Sequence, residues 1–562
     1  MSEKPLRDQD GNVVLRASMS RRGFLVRAGA VGLATMPLGA FLAACGQSTT
    51  TSGGNADLAA LRKGGTLTFA IDGTNGLLDP AVYTTLGDWM AVDCVCRGLT
   101  TIDFASTAPR MDMAESSKVS DDGRTLTFTL RPGITFHDGT VFTAKDVERS
   151  FNRQLADTDP TRPAASTRPI RGSTNRNITA VRAVDERTFE LTLKAPDLTF
   201  PSRMSDLPCR IISSAALEKH GDKIGQNLVG AGPFKLVSAV PQQSVTLEAF
   251  DGYYGGRPVI DRLVLQQLTD PSSLSAGLQS GQISASSFVS HSSAKALAAN
   301  RKVTVHQLPK IVSVFLLMNV TNPALQDLAV RQAINLAIDR EQIVQNAFFG
   351  YAEVPKGFLI PAAEVAHDPG LADLTTFDRA RATQLISQAG ATGRPVELIA
   401  QNNNWYPKVA QIIEENLKAI GLVPTVQLFD PGTFTGKVFD LKSHQIGLWE
   451  RNSYVPDPED TAGNMLSSAG SYANRGTGHA TLDPALVTQL DALLTQGLQT
   501  ADLPARTAAY SQAQRLFAEK MMAISPVVCA QNIVVTAADL KNVNAPALSS
   551  QRMQLEKAGF TE

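Results

Sequence analysis

The sequence is poor in the residues that build metal sites and disulfide frameworks. Its 562 residues include only five cysteines and seven histidines. The cysteines form no pair of CxxC motifs, and no two histidines stand at i, i+4, the spacing that lets one face of a helix bind a metal ion. We therefore expect no metal site.

A surplus of charge of one sign is also missing. Lys and Arg number 52 and Asp and Glu number 53, so the formal net charge is −1. Proteins that bind nucleic acid use a basic excess to neutralise phosphates, and we expect no such partner. The length favours two or more lobes, because single hydrophobic cores stop growing well below this size.

Motifs of common enzyme classes are absent as well. Neither the GxSxG elbow nor HExxH occurs. "GTFTGK" at Gly432–Lys437 is too short for a phosphate loop, and "GAGPFK" at Gly230 lacks the third glycine of a dinucleotide loop. Adjacent His137 and Asp138 point to opposite faces of a predicted strand, which favours a hairpin turn over an acid–base pair. Nothing argues for an enzyme or a cofactor, and we predict neither.

The N-terminal region has a pattern of its own. Paired arginines precede a weakly apolar run rich in Ala and Gly, which ends in Leu-Ala-Ala-Cys at Cys45. A transmembrane helix is the alternative interpretation, but Arg27, Pro37 and the shortness of the run argue against one. The pattern resembles a twin-arginine export signal that ends in a bacterial lipobox.

That resemblance implies a signal peptide over residues 1–44, cleavage before Cys45 and a lipid on its sulfur. Lipidation would anchor the exported protein at the outer face of the cytoplasmic membrane, on the cell surface or the periplasmic side. Residues 45–61 are mostly small and polar, which predicts a flexible tether.

The other four cysteines leave two interpretations open. Cys94 and Cys96 are too close along the chain to bond each other easily. Export permits a disulfide between Cys209 and Cys529, and buried thiols fit equally well.

Periodic segments in the second half of the chain predict an α/β layered fold. Val330–Gly350 reads as one amphipathic helix. "RPVELIAQ" precedes the helical "YPKVAQIIEENLKAIG", and "VPTVQLF" follows it. A strand–helix–strand order of this kind is typical of parallel strands in one sheet.

The stretch "LRPGITFHDGTVFTAKDV", Leu130–Val147, resembles the signature of extracellular solute-binding proteins of the peptide/nickel class, family 5, which feed ABC importers. "KGGTLTFAI", "FDGYYGGRPVIDRL", "LLMNVTNPALQDLAVRQAINLAIDREQIV" and "YVPDPED" resemble further family segments in the same order. The resemblance spans nearly all of residues 62–540.

The family implies a two-lobed α/β fold of the periplasmic-binding-protein type, class II or cluster C, with a two-stranded hinge. We expect lobe I to comprise residues 62–310 and 521–562, with an extra subdomain at about 111–227. Lobe II would comprise residues 311–520. Closure of the lobes on a ligand is a hinge motion that needs no chemistry.

In the family, ligands touch three loops, which correspond here to Asp72–Pro80, Gln401–Pro407 and Trp449–Pro458. The candidate ligand-binding residues within them are Asn75, Asn402, Asn404, Trp405, Trp449, Glu450, Asn452 and Tyr454. A turn of asparagines with a packing tryptophan is the alternative for the second loop. Trp449 fits either a pocket wall or the interlobe core.

Peptide-binding members anchor the ligand's amino group on an aspartate three residues before the Asp-Pro pair. The corresponding position is Tyr454 counted back from Asp457, or Asn452 counted forward from Trp449, and neither carries a charge. Glu450 is the nearest carboxylate that could replace the aspartate. The cargo therefore stays open between a dipeptide, a longer peptide held by its backbone and a non-peptide solute.

The combined expectation is a lipid-anchored, monomeric substrate-binding protein that delivers an oligopeptide or similar solute to the permease subunits of an ABC importer. A sensory or chaperone-like peptide-binding lipoprotein without an importer is one alternative, and an exported enzyme on the same fold is another. Nickel and haem are disfavoured because no histidine lies in the three candidate loops.

Overall fold

The computed structural model describes residues 57–82, 85–103, 109–155, 159–161, 177–197, 200–359, 368–452, 457–500, 502–543 and 553–561. The expected signal peptide, the lipid site at Cys45 and the candidate Tyr454 lie outside these residues.

The strands follow the alternating and apolar runs of the sequence. In β1 the alternating start gives way to consecutive buried residues, because the strand has parallel neighbours on both sides and helices cover such sheets. The strands are β1 (Thr66–Ile71), β2 (Thr100–Ile102), β3 (Pro109–Met111), β4 (Ala114–Val119), β5 (Thr125–Leu130), β6 (Ile178–Ala183), β7 (Thr188–Leu193), β8 (Phe234–Val240), β9 (Ser244–Ala249), β10 (Arg262–Gln267), β11 (Ala285–Ser286), β12 (Val303–Met318), β13 (Ala352–Glu353), β14 (Pro395–Gln401), β15 (Val423–Phe429), β16 (Ile446–Asn452), β17 (Ile524–Ala537), β18 (Leu540–Lys541) and β19 (Gly559–Phe560).

Many of the helices begin at an Asp, Ser or Thr whose side chain accepts a hydrogen bond from a first-turn N–H. The helices are α1 (Leu86–Val95), α2 (Ala144–Leu155), α3 (Phe200–Arg203), α4 (Ser214–His220), α5 (Pro271–Ser280), α6 (His291–Leu297), α7 (Leu328–Ala337), α8 (Arg340–Asn346), α9 (Arg379–Gln388), α10 (Tyr406–Ala419), α11 (Pro431–Val438), α12 (Pro458–Met465), α13 (Pro484–Gln499) and α14 (Leu503–Lys520).

The single helix predicted over Val330–Gly350 is wrong, because the segment breaks into α7 and α8. Ile338 is extended, and the Asp339 side chain accepts from the Gln342 N–H at 3.0 Å to cap the second helix. The amide oxygen of Asn416 accepts from the Asp339 N–H at 2.9 Å. This cap and this tertiary bond replace the intrahelical bonds that a continuous helix would have made.

The central feature is an eleven-stranded sheet within the described residues, whose main path runs β15-β14-β16-β12-β17-β11-β1-β10-β9-β8. The predicted strand–helix–strand unit is present, since β14 and β15 pair in parallel and α10 connects them. We call the part around β1 and β8–β11 lobe I and the part around β14–β16 lobe II.

Two long strands belong to both lobes. β12 and β17 pair antiparallel from Val303 with Ala537 to Leu317 with Ile524, and the register shifts between Gln307 and Val312. Beyond that irregularity β12 gains β16 as its second neighbour, whereas the other end of β17 pairs with β11. The irregularity marks the passage of the strand pair from one lobe to the other.

Separate apolar cores lie in the two lobes. One packs around β1, α1 and β8–β10, and another packs around β14–β16, α7, α10 and α14. A third core lies under the four-stranded sheet β4-β5-β7-β6, where β5 and β7 bury every second side chain against α2. The limits expected for the lobes and the subdomain stay predictions, because the described residues form one compact unit.

The four described cysteines are buried thiols. Cys209 lies in the core under the four-stranded sheet, with its sulfur 3.8 Å from the Arg203 carbonyl oxygen, whereas Cys529 lies on β17, 3.5 Å from the Ser313 hydroxyl. Of the two interpretations left open for this pair, buried thiols are the one observed.

None of the helices in the described part of the chain has the length and apolar character needed to cross a membrane.

Candidate ligand-binding cleft

The loop that follows β1 is fixed by a buried carboxylate. Asp88, on α1 and inaccessible to solvent, accepts hydrogen bonds from Thr74 Oγ1 at 2.6 Å and from the Asn75 N–H at 3.0 Å. Gln267 Oε1 accepts a further bond from the Thr74 N–H at 3.1 Å. The exposed candidate residue Asn75 therefore sits on a rigid loop rather than a mobile one.

Asp72 is the carboxylate at the start of this loop. Its side chain keeps accessible surface, yet protein surrounds it closely enough that desolvation raises its pKa to about 6, with a smaller contribution from the charge of Asp88. Backbone N–H groups of Asp72 and Gly73 oppose the rise.

Glu450 is the corresponding carboxylate of lobe II. It lies on β16 opposite Val314 of β12, in the half-buried end of the strand. Burial raises its pKa to about 7, and the second cause is the charge of Asp72. The two lobes therefore bring two carboxylates within electrostatic reach of each other.

The aromatic residues of the second candidate loop lie next to Glu450. Trp405 stacks on Tyr406 with ring centroids 3.9 Å apart, and the ring of Phe348 packs against Trp405 with centroids 5.3 Å apart. Burial raises the pKa of the Tyr406 hydroxyl well above its usual value, and the charge of Glu450 contributes. Trp405 is thus held in place by its neighbours while remaining half-buried.

Trp449 points to the opposite side of β16 from Glu450, as neighbouring strand residues do. Its indole N–H donates to Tyr472 Oη at 2.9 Å, and its ring packs against Phe434 and Phe439 with centroids at 5.7 and 5.0 Å. Most of this side chain therefore contributes to the packing of lobe II, and only its residual exposure is available to a ligand.

The remaining candidates occupy the ends of strands. Asn402 and Asn404 are exposed, and Asn404 has a left-handed backbone with φ of 51°, a conformation that asparagine tolerates in turns. This geometry agrees with the turn that was the alternative interpretation of the loop. Asn452 ends β16, half-buried, on the same side as Glu450 because it stands two residues further along the strand.

The aspartate of the Asp-Pro pair is structural. Asp457 caps α12 by accepting from the Glu459 N–H at 2.9 Å, and both of its oxygens accept from Arg506 Nη2, at 2.9 and 2.8 Å. Its carboxylate is therefore occupied within lobe II, whereas the charge of Glu450 interacts with that of Asp72 in lobe I.

Asp72 and Glu450 have no ion-pair partner among the described residues. Burial raises the pKa of both carboxyls, and the charge of Asp72 raises that of Glu450 further. Such a pair forms a receptor for a cation, because a positive group beside them offsets the cost of burying their charges. Within the described ranges no cluster of three or more His, Cys, Asp or Glu side chains is arranged to hold a metal ion.

Asp72 and Tyr406 were missed as individual residues by the sequence reasoning. Both stand inside the predicted loops, one directly after the first strand and the other at the first residue of α10. A carboxylate at the carboxyl end of a buried parallel strand is the signal that could have identified Asp72, since ligands often bind at that edge.

Comparison with known proteins identifies the family of the chain. The sequence profile of the bacterial extracellular solute-binding proteins, family 5 Middle, matches residues 108–473. The glutathione-binding protein GsiB of Escherichia coli (strain K12) is 30% identical to this chain over 409 residues, which cover 72% of this chain and 77% of that protein.

Solved structures confirm the predicted two-lobed fold. The ABC transporter-associated periplasmic binding protein DppA from Helicobacter pylori, in complex with the peptide STSA, superposes with a TM-score of 0.76 at 22% identity and covers 89% of this chain and 99% of its own. The dipeptide-binding protein from Pseudoalteromonas sp. SM9913, in complex with Met-Leu, gives a TM-score of 0.77 at 21% identity and covers 88% and 100%. The chain therefore belongs to the bacterial extracellular solute-binding proteins of family 5.

Proposed function

We propose that the protein is the lipid-anchored substrate-binding component of an ABC importer, and that it captures an oligopeptide or similar solute with a protonated amino group between its lobes. The observation that carries the proposal is the pair of carboxylates, Asp72 from lobe I and Glu450 from lobe II. A ligand cation between them is attracted by both lobes and so favours the closed state over the open one.

The chemistry of the pair supports an amine in preference to a neutral solute. An ammonium group donates up to three hydrogen bonds, and charge-assisted bonds to carboxylates offset the desolvation of both partners. A sugar offers no charge to offset the repulsion between the two groups. Trp405, which is half-buried and stacks on the buried Tyr406 next to Glu450, suits the apolar part of a peptide-like ligand.

The named ligands of the relatives fit the same chemistry. GsiB is a glutathione-binding protein, and the two solved structures hold the peptide STSA and the dipeptide Met-Leu. All three compounds carry a free amino group. For the present chain they support a peptide-like cargo whose length the cleft selects.

The cargo is tested by purifying the protein, denaturing it and analysing the released small molecules by mass spectrometry. Peptides or other amines are expected. Recovery of only sugars or of a metal chelate would overturn the proposed substrate class. Titration calorimetry with the peptide STSA and its N-acetylated form provides the matched comparison, since acetylation removes only the charge of the amino group.

Membrane anchoring through Cys45 is a separate part of the proposal, supported by the export pattern before it. Cys45→Ala is expected to move the protein from the membrane fraction to the soluble exported fraction, because the lipid has no other attachment point. Fractionation with immunodetection measures this, and Cys94→Ala serves as the control. Unchanged membrane retention of the Cys45 variant would contradict the lipid anchor.

Binding of an amino-terminated ligand is expected to strengthen as the pH rises from 5 to 8. The pKa values of about 6 for Asp72 and about 7 for Glu450 mean that both carboxyls are largely protonated at pH 5, and a cation binds only after they lose those protons. Ionisation of Glu450 alone gives a difference in Kd of roughly thirtyfold across this window, because protonation removes about 2 kcal/mol of attraction, the same charge that a Gln substitution removes.

Calorimetry with STSA at several pH values measures the effect. Glu450→Gln should flatten most of the profile. A Kd that is independent of pH between 5 and 8 would show that the carboxylates do not hold the amino group.

A further inference from the structure

The N-cap and the first turn of α12 together carry three carboxylates, and each of them faces an arginine. Two of these ion pairs stay within lobe II, where Arg506 of α14 and Arg451 of β16 supply the guanidinium groups. The pairs are Asp457 with Arg506 at 2.8 Å, Asp460 with Arg451 at 2.9 Å and Glu459 with Arg203 at 3.8 Å.

The third pair crosses between the lobes. Arg203 ends α3, whose residue Phe200 and the following Met204 are buried in the core under the four-stranded sheet. Arg210, seven residues further along the chain, donates to Asp93 of α1 at 2.8 Å and so joins this region to lobe I.

The Nε of Arg203 lies 3.7 Å from Asp197 Oδ2, and its Nη2 lies 3.8 Å from Glu459 Oε1. With 7% of its side chain exposed, the guanidinium fills the space between a carboxylate of one lobe and a carboxylate of the other.

The carboxylates around this guanidinium would repel one another without it. Asp197, Glu459, Asp457 and Asp460 together raise the pKa of Arg203 although burial opposes this. Arg203 in turn lowers the pKa of Glu459, which burial and the neighbouring acids hold at about 7. The surrounding carboxylates keep the buried guanidinium of Arg203 charged. The charged guanidinium therefore attracts the carboxylates on both sides of this contact.

We propose that Arg203 is a cross-lobe clamp whose positive charge allows the acidic start of α12 to approach Asp197, so that the closed arrangement of the lobes depends on it. The clamp rests on the proposed function in one respect, that the cleft closes around a solute.

Small-angle X-ray scattering of the full chain, with no added ligand, tests the clamp. In Arg203→Gln at pH 8 the ratio of closed to open molecules should fall about tenfold, and the radius of gyration should rise, because the variant leaves Asp197 facing the acids of α12. Arg203→Lys keeps the charge and should retain the scattering of the wild type. Arg182→Gln, which breaks an exposed ion pair with Glu190 within lobe I, is the control.

Lowering the pH should reverse the increase in the radius of gyration of the Arg203→Gln variant. The groups that face Glu459 are Asp197 and Arg203 from lobe I, Asp457 and Asp460 from its own helix, and Tyr510 from α14. With Arg203 replaced, protonation of Glu459 at pH 5.5 removes the charge closest to lobe I, and the radius of gyration should return towards the wild-type value.

Three results would each overturn the clamp. Arg203→Gln could scatter like the wild type at pH 8, Arg203→Lys could expand as much as the glutamine variant, or the expansion could be the same at pH 8 and pH 5.5. Circular dichroism of each variant separates opening of the lobes from unfolding. Because no solute is added, the absence of an amine ligand would overturn the proposed function without changing this measurement.

Discussion

Replacing Glu450 by glutamine is expected to weaken the binding of an amino-terminated ligand by about 2 kcal/mol or more, which is roughly thirtyfold in Kd. The substitution keeps the shape and removes one of the two charges that a ligand ammonium group would meet. Asp72 remains, so binding should be weakened and not abolished. Titration calorimetry with STSA at pH 8 measures the change.

The same substitution should stabilise the ligand-free protein at pH 8. Folding raises the pKa of Glu450 to about 7, so the folded state holds its proton more tightly than the unfolded state does. Stability from this group is therefore present at low pH and lost as the pH rises through 7. Glu450→Gln should raise the thermal midpoint at pH 8 and leave it nearly unchanged at pH 5.

Opposite effects on binding and stability are typical of a functional group kept in an unfavourable environment. Glu415→Gln, on the exposed face of α10 in the same lobe, is the matched control and should change neither quantity. If Glu450→Gln leaves the Kd for STSA unchanged, the amino group is held elsewhere, and Asn452 and Tyr454 become neutral contacts for a different solute.

Arg340→Leu is expected to lower the free energy of unfolding by about 3–5 kcal/mol, the range for removing one partner of a buried charged network. Arg340 is fully buried at the start of α8 and donates to the carbonyl oxygens of Pro526 and Thr375, both at 2.9 Å, and to Asn335 Oδ1 at 2.7 Å. These bonds tie α7 and α8 to β17, and leucine would leave their oxygens buried without donors.

Urea unfolding at pH 7 measures this loss. Arg379→Leu, at the exposed start of α9, is the control and should stay within about 0.5 kcal/mol of the wild type. The Arg340 guanidinium is surrounded by carbonyl dipoles, and burial lowers its pKa to about 9. A loss no larger than that of the control would contradict the structural role of this network.

The individual helices and strands were largely predictable from the sequence, whereas the tertiary contacts between distant segments were not. Periodicity identified β1 and the β14–α10–β15 unit, because each buries one face in a regular pattern. It failed at Ile338 and Asp339, where an apolar run continues but a cap and a bond from Asn416 break the helix. That bond comes from a distant helix, so no local window contains it.

The same limit applies to the candidate site: its loops were predictable, but the roles of the residues within them were not. The three loops could be placed from motifs, but the roles within them depend on which side of a strand faces the other lobe. Trp449 and Glu450 are neighbours in sequence, yet one packs into lobe II and the other approaches Asp72. From the sequence, buried arginines such as Arg203 and Arg340 cannot be told from surface arginines, because their burial depends on residues that are distant along the chain.

The strand pair that passes through both lobes has a consequence for synthesis of the chain. β17 supplies a central strand to each half of the sheet, and it lies near the C-terminus at Ile524–Ala537. Until those residues leave the ribosome, β12 lacks its partner on one side, and exposed strand edges of this kind associate readily with other chains. We expect a nascent chain stopped before Ile524 to depend on chaperones, because β12 then lacks the strand that pairs with it along most of its length.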